Sequence, residues 1–395
     1  RIVSSQVDAN GDGIPDVDPG TGFTVTEEVA RTSRSSNAKR LYYTSNLSFA
    51  VAPEHQGGLS FFGAPRSRVG WGSFSGPVET GKLFIKDGTY DSTFKWTSKF
   101  NKNKQQLDFK AGWHRSISEQ TPAFLEGERA QVRYDYDLPL ARFEDIAACR
   151  DGSATDPYPM IDNCPVRFYR QGGVGYYTDK TADRLAANLS FTNRFNAGGQ
   201  HILKVGADIE DNYLDSFRTY TSGAAYQHRS GFTLIRSFKS PDDNGDIPCG
   251  AVDIRHEEEL AGADLDNDGM IATGPDGVAD GRCSDRPDGL RSKTNTFNMA
   301  AFLQDSWQPM PNLTINAGMR WERQALRNGD QLKGKISLTT GEVNGDDAFT
   351  LENMFAPRIG VIYDWTKEGR SKLFGNWGRF YESIAMDIND RAFGG

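Results

Sequence analysis

The residues best placed to do chemistry stand near the start of the chain. Asp8, Asn10, Asp12, Asp16 and Asp18 fall in the run DANGDGIPDVD, with oxygen-bearing side chains two residues apart. Oxygen ligands at that spacing wrap a hard cation, and Gly13 after the third ligand permits the sharp turn such a loop needs. The Glu that closes an EF-hand loop is missing, because Pro19 stands at its position. A structural calcium ion is the expected cofactor, and a solvated acidic turn is the alternative. Asp264, Asp266 and Asp268, followed by Gly269, repeat the pattern, with Asp276 or Asp280 as the residues that could close it. Asp242 to Asp246 reads as a plain Asp-Asn-Gly turn.

The four cysteines form two local pairs, Cys149 with Cys164 and Cys249 with Cys283, and neither has the CxxC spacing of a zinc site. Each pair lies in one polar stretch rich in Asp, Gly and Pro, where a disulfide would close a loop and lower its unfolded entropy. Two loop disulfides in an oxidising compartment are expected, with four free thiols as the alternative. Catalytic patterns are missing. His256 precedes Glu257, Glu258 and Glu259 with no second His at metalloprotease spacing, and no GxSxG, phosphate-binding loop or dinucleotide fingerprint occurs. The chain reads as a non-enzyme.

The elements that must carry these residues are strands. Between Thr294 and Arg327, Phe297, Met299, Ala301, Leu303 and Trp307 alternate with Asn298, Ala300, Phe302, Gln304 and Ser306. After Pro309 and Pro311, Leu313, Ile315, Ala317, Met319 and Trp321 alternate with Thr314, Asn316, Gly318, Arg320 and Glu322. A period of two puts one apolar and one polar face on each strand, and the prolines are expected to break the run into a hairpin. Similar hairpins are expected around Leu41–Ala64, Phe94–Ile117, Leu185–Ile209 and Ile359–Ser383. In the last of these the second strand, LFGNWGRFYES, has no clear apolar face. Arg320, Arg194, Lys204 and Asp208 are expected to be ion-paired on the polar faces.

Five such hairpins have short turns, and long connections join one to the next. These connections are expected over residues 66–90, 119–183, 215–293 and 328–355, with loop segments also at 1–37 and 383–395 and strands within 38–382. A soluble sandwich has no reason to gather its long connections at one end, whereas an outer-membrane barrel does. Hydrophobic residues are only 37% and no apolar run is long enough for a membrane helix, which leaves room for spanning strands because alternation dilutes their signal. The net charge of −8 argues against a nucleic-acid partner. No leader pattern opens the chain at Arg1, so the reading expects either a removed signal peptide or an internal piece. The fold expected is all-β, an antiparallel transmembrane barrel of about ten strands with short periplasmic turns and long extracellular loops.

Several stretches carry a resemblance. AFLQDSWQPMPNLTINAGMRWE, from Ala301 to Glu322, and FAPRIGVIYDWTKEGRSKLFGNWGRFYES, from Phe355 to Ser383, resemble hairpins of the TonB-dependent receptors, and YDSTFKWTSKFNKNKQQLDFKAGWH looks like the Oar-like subfamily. The resemblance implies a barrel of about 22 strands around a plug, of which this chain would be the middle or later part. It implies transport of a ligand, whether siderophore, oligosaccharide, peptide or protein cargo, with TonB engaged through a region outside this chain and outer-membrane lipid around the strands. The alternative is a surface adhesin or scaffold whose calcium-stiffened loops touch neighbouring surface proteins. Non-reducing peptide mapping should recover the links Cys149–Cys164 and Cys249–Cys283. Cross-loop links, or free thiols throughout, would count against the loop reading.

Overall fold

The computed structural model describes residues 1–71, 81–123, 129–238, 289–337 and 340–394. Ten strands run as an uninterrupted antiparallel meander, each pairing with its neighbours in sequence. They are β1 (Tyr43–Ala52), β2 (His55–Gly63), β3 (Lys82–Phe100), β4 (Gln105–Pro122), β5 (Tyr176–Asn196), β6 (Gln200–Tyr220), β7 (Gly289–Met310), β8 (Leu313–Arg327), β9 (Asp347–Tyr363) and β10 (Leu373–Gly378). Two short strands, Ala38–Arg40 and Arg66–Trp71, prolong the first hairpin and bring the sheet to twelve. The sheet is open, with β1 at one edge and β10 at the other.

Register turns the alternation of single strands into continuous stripes. Leu107, Phe191, Val205, Leu303, Met319 and Pro357 stand side by side across six strands, and Phe109, Leu189, Ala207, Ala301, Trp321 and Phe355 form the next rung. On the other face, Lys110, Asn188, Asp208, Ala300, Glu322 and Met354 align. The apolar stripes are open to their surroundings, Leu189, Ile209, Leu303, Met319 and Ile359 each being close to half exposed. A continuous apolar face of that size on a protein in water would invite association. The pairing also supplies the face that the sequence pattern of β10 left open. Ile359 meets Trp377 and Tyr363 meets Leu373, so Leu373 and Trp377 join the apolar side.

The turns joining hairpin partners are short, and their residues suit them. Asn101, Lys102 and Asn103 all have positive φ, a region that Asn tolerates better than most residues. Gly199 (φ 127°) sits where a Cβ would meet the Gln308 carbonyl oxygen at 2.5 Å, so no other residue fits without movement. Pro309 does not end its strand as expected. β7 continues through it to Met310, and the register shift between Trp307 and Met310 absorbs the missing N–H as a bulge does.

Strands reach well into segments expected to be loops. Arg66–Trp71 pairs with the first residues of β3, β5 begins at Tyr176, β6 ends at Tyr220, β7 begins at Gly289 and β9 at Asp347. The outer parts of β5 and β6 carry charge on both faces, so no hydrophobic period announced them. At about 3.3 Å per residue, the 21 residues of β5 extend about 70 Å, more than twice a bilayer's hydrocarbon thickness of about 30 Å. The first 37 residues, also expected to be loop, contain a two-stranded ribbon of Ile2–Gln6 against Thr26–Arg31. The segment after β10 ends in a helix, α1 (Met386–Phe393), which packs on β7 with Asn389 and Asp390 buried. The Asn389 side-chain amide donates to Thr294 Oγ1 at 2.6 Å, and Asp390 pairs with Arg218.

The stripes yield a test. Leu303→Arg, in the middle of the apolar face, should cost about 2–4 kcal/mol of unfolding free energy in lipid vesicles, whereas Gln304→Arg beside it should cost about 0–1 kcal/mol. Equal losses at the two positions would mean that the faces are wrongly assigned.

Candidate functional site

Two of the long connections fold into one layer. Gln131–Tyr134, from the connection after β4, lies antiparallel to Tyr169–Gly172 and parallel to Ala224–Arg229, which comes from the connection after β6. Phe232–Ser237 completes a four-stranded sheet. Val132, Tyr134 and Tyr226 are buried on one side with Ala130 and Ala224, and Tyr136, Leu138 and Phe143 pack against them. Gly172 (φ 80°) is required where the chain turns back, since a Cβ there would meet the Ala130 carbonyl oxygen at 2.0 Å. Sequence reasoning missed this layer. Short alternations such as QVRY and FTLIRS were present, but each is only four to six residues long, and both partners of QVRY lie far away in the chain.

Cys149 and Cys164 are bonded to each other, and both are buried. They sit with Leu140 and Tyr169, and Val3 and Val29 of the N-terminal ribbon pack on the same cluster. Phe143 stacks on Tyr169 with ring centroids 4.3 Å apart. The Tyr169 hydroxyl donates to Glu144 at 2.8 Å, and Glu144 also meets Arg1 at 2.6 Å. Burial, and then the neighbouring Glu144, push the Tyr169 phenol above its ordinary range, so it remains a donor. Ser5 Oγ and the Gln6 N–H both donate to the Asn163 carbonyl, at 2.9 and 2.6 Å. The ribbon is thereby tied to the disulfide loop.

The acidic motif folds into a series of turns closed by its own side chains. Asp8 is buried, and its carboxylate accepts the N–H groups of Gly11, Asp12 and Gly13 at 2.9, 3.2 and 3.0 Å. Asn10 Oδ1 accepts from the Asp12 N–H, Asp12 from Ile14, and Asp16 from Ala9. Asp18 accepts from Thr21 and Gly20, and these backbone donors hold its carboxyl below the usual range. The oxygens serve their own turns. Among the described residues no group of three His, Cys, Asp or Glu side chains is arranged to hold a metal ion. A calcium ion bound by this segment would share these carboxylates with their backbone donors. Asp264, Asp266, Asp268, Cys249 and Cys283 lie outside the described residues.

The polar face of the large sheet is a connected wall. Arg320 contacts Asp208 at 2.5 Å and also Glu322, Arg184 pairs with Glu210, and Asn188 donates to Asp208. Arg320, Asp208, Glu322, Arg184 and Glu210 border a cavity of about 320 Å³ that Tyr381 and Glu382 help to line. Two expectations are corrected here. Arg194 donates to the Asn103 carbonyl at 3.1 Å rather than to a carboxylate, because it stands level with that turn. Lys204 lies over the Phe302 ring at 5.9 Å, where the ring face offers negative potential.

Comparison with known proteins places this architecture. Residues 72–394 match the family model of the outer membrane beta barrel domain. The chain belongs to this family. Over 99% of its length this outer-membrane barrel chain is 27% identical to the TonB-dependent transporter Oar of Myxococcus xanthus, and it spans 35% of that protein. Among solved structures it is similar to the outer membrane transporter YddB of Escherichia coli, with 10% identity over 93% of this chain and 34% of that one, and a TM-score of 0.47. The siderophore receptor PiuA of Acinetobacter baumannii is similar at 12% identity over 89% of this chain and 43% of that one, with a TM-score of 0.42.

As an outer-membrane barrel, the chain has its rims marked by polar aromatic groups. At the turn end of β5, β6 and β7, Phe195, His201 and Trp307 stack with centroids 5.0 and 5.7 Å apart, and Trp307 Nε1 donates to the Gly198 carbonyl. Towards the other end, Trp113 Nε1 and Arg115 both donate to Asp183. Such amphipathic rings suit the membrane–water boundary. The loop layer stands beyond the Asp183 rim.

The acidic turn can be tested by hydrogen exchange. Asp8→Ala removes the acceptor of three N–H groups, which should weaken the turn locally by about 1–3 kcal/mol and speed exchange at Gly11, Asp12 and Gly13. If these amides in the unaltered protein also speed up when calcium is chelated, the turn is metal-dependent instead.

Proposed function

We propose that this chain is one arc of the barrel of a TonB-dependent outer-membrane transporter, with its loop layer meeting the ligand at the outer mouth. The likeness to the Oar transporter over almost the whole chain carries the reading. The two open edges support the arc, since backbone groups in hydrocarbon need partners and the chain spans about a third of that relative. The ion-paired polar wall, hydrated by its charges, suits a lumen that faces a plug. TonB would act through a part of the protein outside this chain. Siderophore, oligosaccharide, peptide or protein cargo are all compatible with it. Calcium bound by Asp8–Asp18 remains a separate proposal, judged by the chelation measurement above.

The test compares cells lacking the full-length protein with cells lacking TonB. Both should show the same change in surface-accumulated or exported material, and the wild-type gene should restore only the first. A Cys149→Ser, Cys164→Ser pair of substitutions should reduce that restoration several-fold while the protein still inserts into the outer membrane, because a loop closed over 15 residues loses about 3 kcal/mol of constraint. A phenotype independent of TonB would favour the surface scaffold.

A further inference from the structure

One face of the loop sheet packs on the aromatic cluster around Tyr134, and the other carries mostly arginines. Arg133 pairs in register with Arg170 and with Gln227, and Ala225 pairs with Gln131 and with Arg236, so these side chains share a face. A cavity of about 470 Å³ opens there. Arg133, Arg170 and Arg236 line it with Tyr176 and Tyr220, and no carboxylate is among its described lining residues. Asp135 pairs with Arg133 and lies 3.7 Å from Arg229, outside the lining. Tyr176 and Tyr220, at the outer ends of β5 and β6, are packed edge to face at its border with centroids 5.6 Å apart. Phe238 extends this aromatic wall, stacked on Tyr220 at 5.3 Å.

We propose that this cleft binds a small ligand carrying an oxyanion, gripped by the guanidinium groups while its ring or carbon face rests on the tyrosines. A guanidinium presents forked donors that match carboxylate and phosphate oxygens, and the arginines of this face (Arg133, Arg170, Arg229 and Arg236) outnumber its one described carboxylate, Asp135. Tyrosine adds a flat apolar face with a polar rim. The volume lies within the range of small-molecule sites, about 300–1,000 Å³. Both long connections contribute lining residues, so the cleft exists only when the layer is assembled. This deepens the transporter reading by naming the ligand class, and it rests on that reading only for where the ligand goes next.

The experiment is calorimetric titration of the purified full-length protein in detergent micelles with a galacturonic acid trisaccharide, a neutral galactose trisaccharide and inorganic phosphate. The acidic trisaccharide should bind at least about tenfold more tightly than the neutral one, and Arg236→Gln and Arg170→Gln should each weaken it about tenfold or more. Arg236 is exposed, so its variant should keep the wild-type strand signal in circular dichroism and serve as the folded control. Binding of phosphate with the same arginine dependence would also support the site and would assign the oxyanion to phosphate rather than to a uronate. Failure of both acidic probes, equal binding of the neutral sugar, or unchanged binding by both variants would overturn the proposal. Arginine-dependent binding without TonB-dependent transport would sink the transporter reading and leave the cleft standing.

Discussion

An amide N–H or carbonyl left unpaired in hydrocarbon costs several kcal/mol, and most of this molecule follows from avoiding that loss. Strands can pair all their backbone groups only with neighbours, so the chain returns on itself nine times in sequential order, from β1 to β10. Register is then set by the side chains. A slip of one residue would carry Leu189, Val205, Leu303 and Met319 to the polar face and bring Asn188, Lys204, Gln304 and Arg320 into lipid. Among the described residues the sheet ends in open edges at β1 and β10, where the proposed arc would meet the rest of its barrel.

Beyond the membrane band the physics changes. The loop layer is held by burial and by covalent closure, as in small extracellular domains that cannot build a large core. Leu140, Tyr169 and the Cys149–Cys164 bond form its centre, and the N-terminal ribbon is fastened to it through Val3, Val29 and the Arg1–Glu144 contact. The cap is consequently stiff where it touches the disulfide loop. A stiff cap lets arginines from separate connections hold one geometry, which loose loops could not do.

The strand cores were legible because a period of two needs no knowledge of the partner. Phe94, Trp96, Leu107, Phe109, Leu189 and Leu203 could each be assigned to a strand from neighbours within the same ten residues. The Cys149–Cys164 link was legible from proximity in sequence. The outer halves of β5 and β6 were not, since Asp179, Asp183, Asp211 and Asp215 stand where lipid no longer demands apolar groups. The backbone role of the acidic motif was not legible for a related reason. Oxygen atoms two residues apart suit a cation and a series of backbone N–H donors equally well, and only the path of the turn shows which they meet.

What the sequence determined by itself was therefore local and periodic: an all-β chain, its apolar faces, its short turns and one loop disulfide. What only the tertiary structure decided was long-range: the parallel pairing of Gln131–Tyr134 with Ala225–His228, the docking of the first 31 residues on the disulfide loop, and the meeting of Arg133, Arg170 and Arg236. These contacts join segments up to about 160 residues apart, and each segment by itself is too short to bury a face. Their partners are chosen by packing, which leaves no period in the sequence to read.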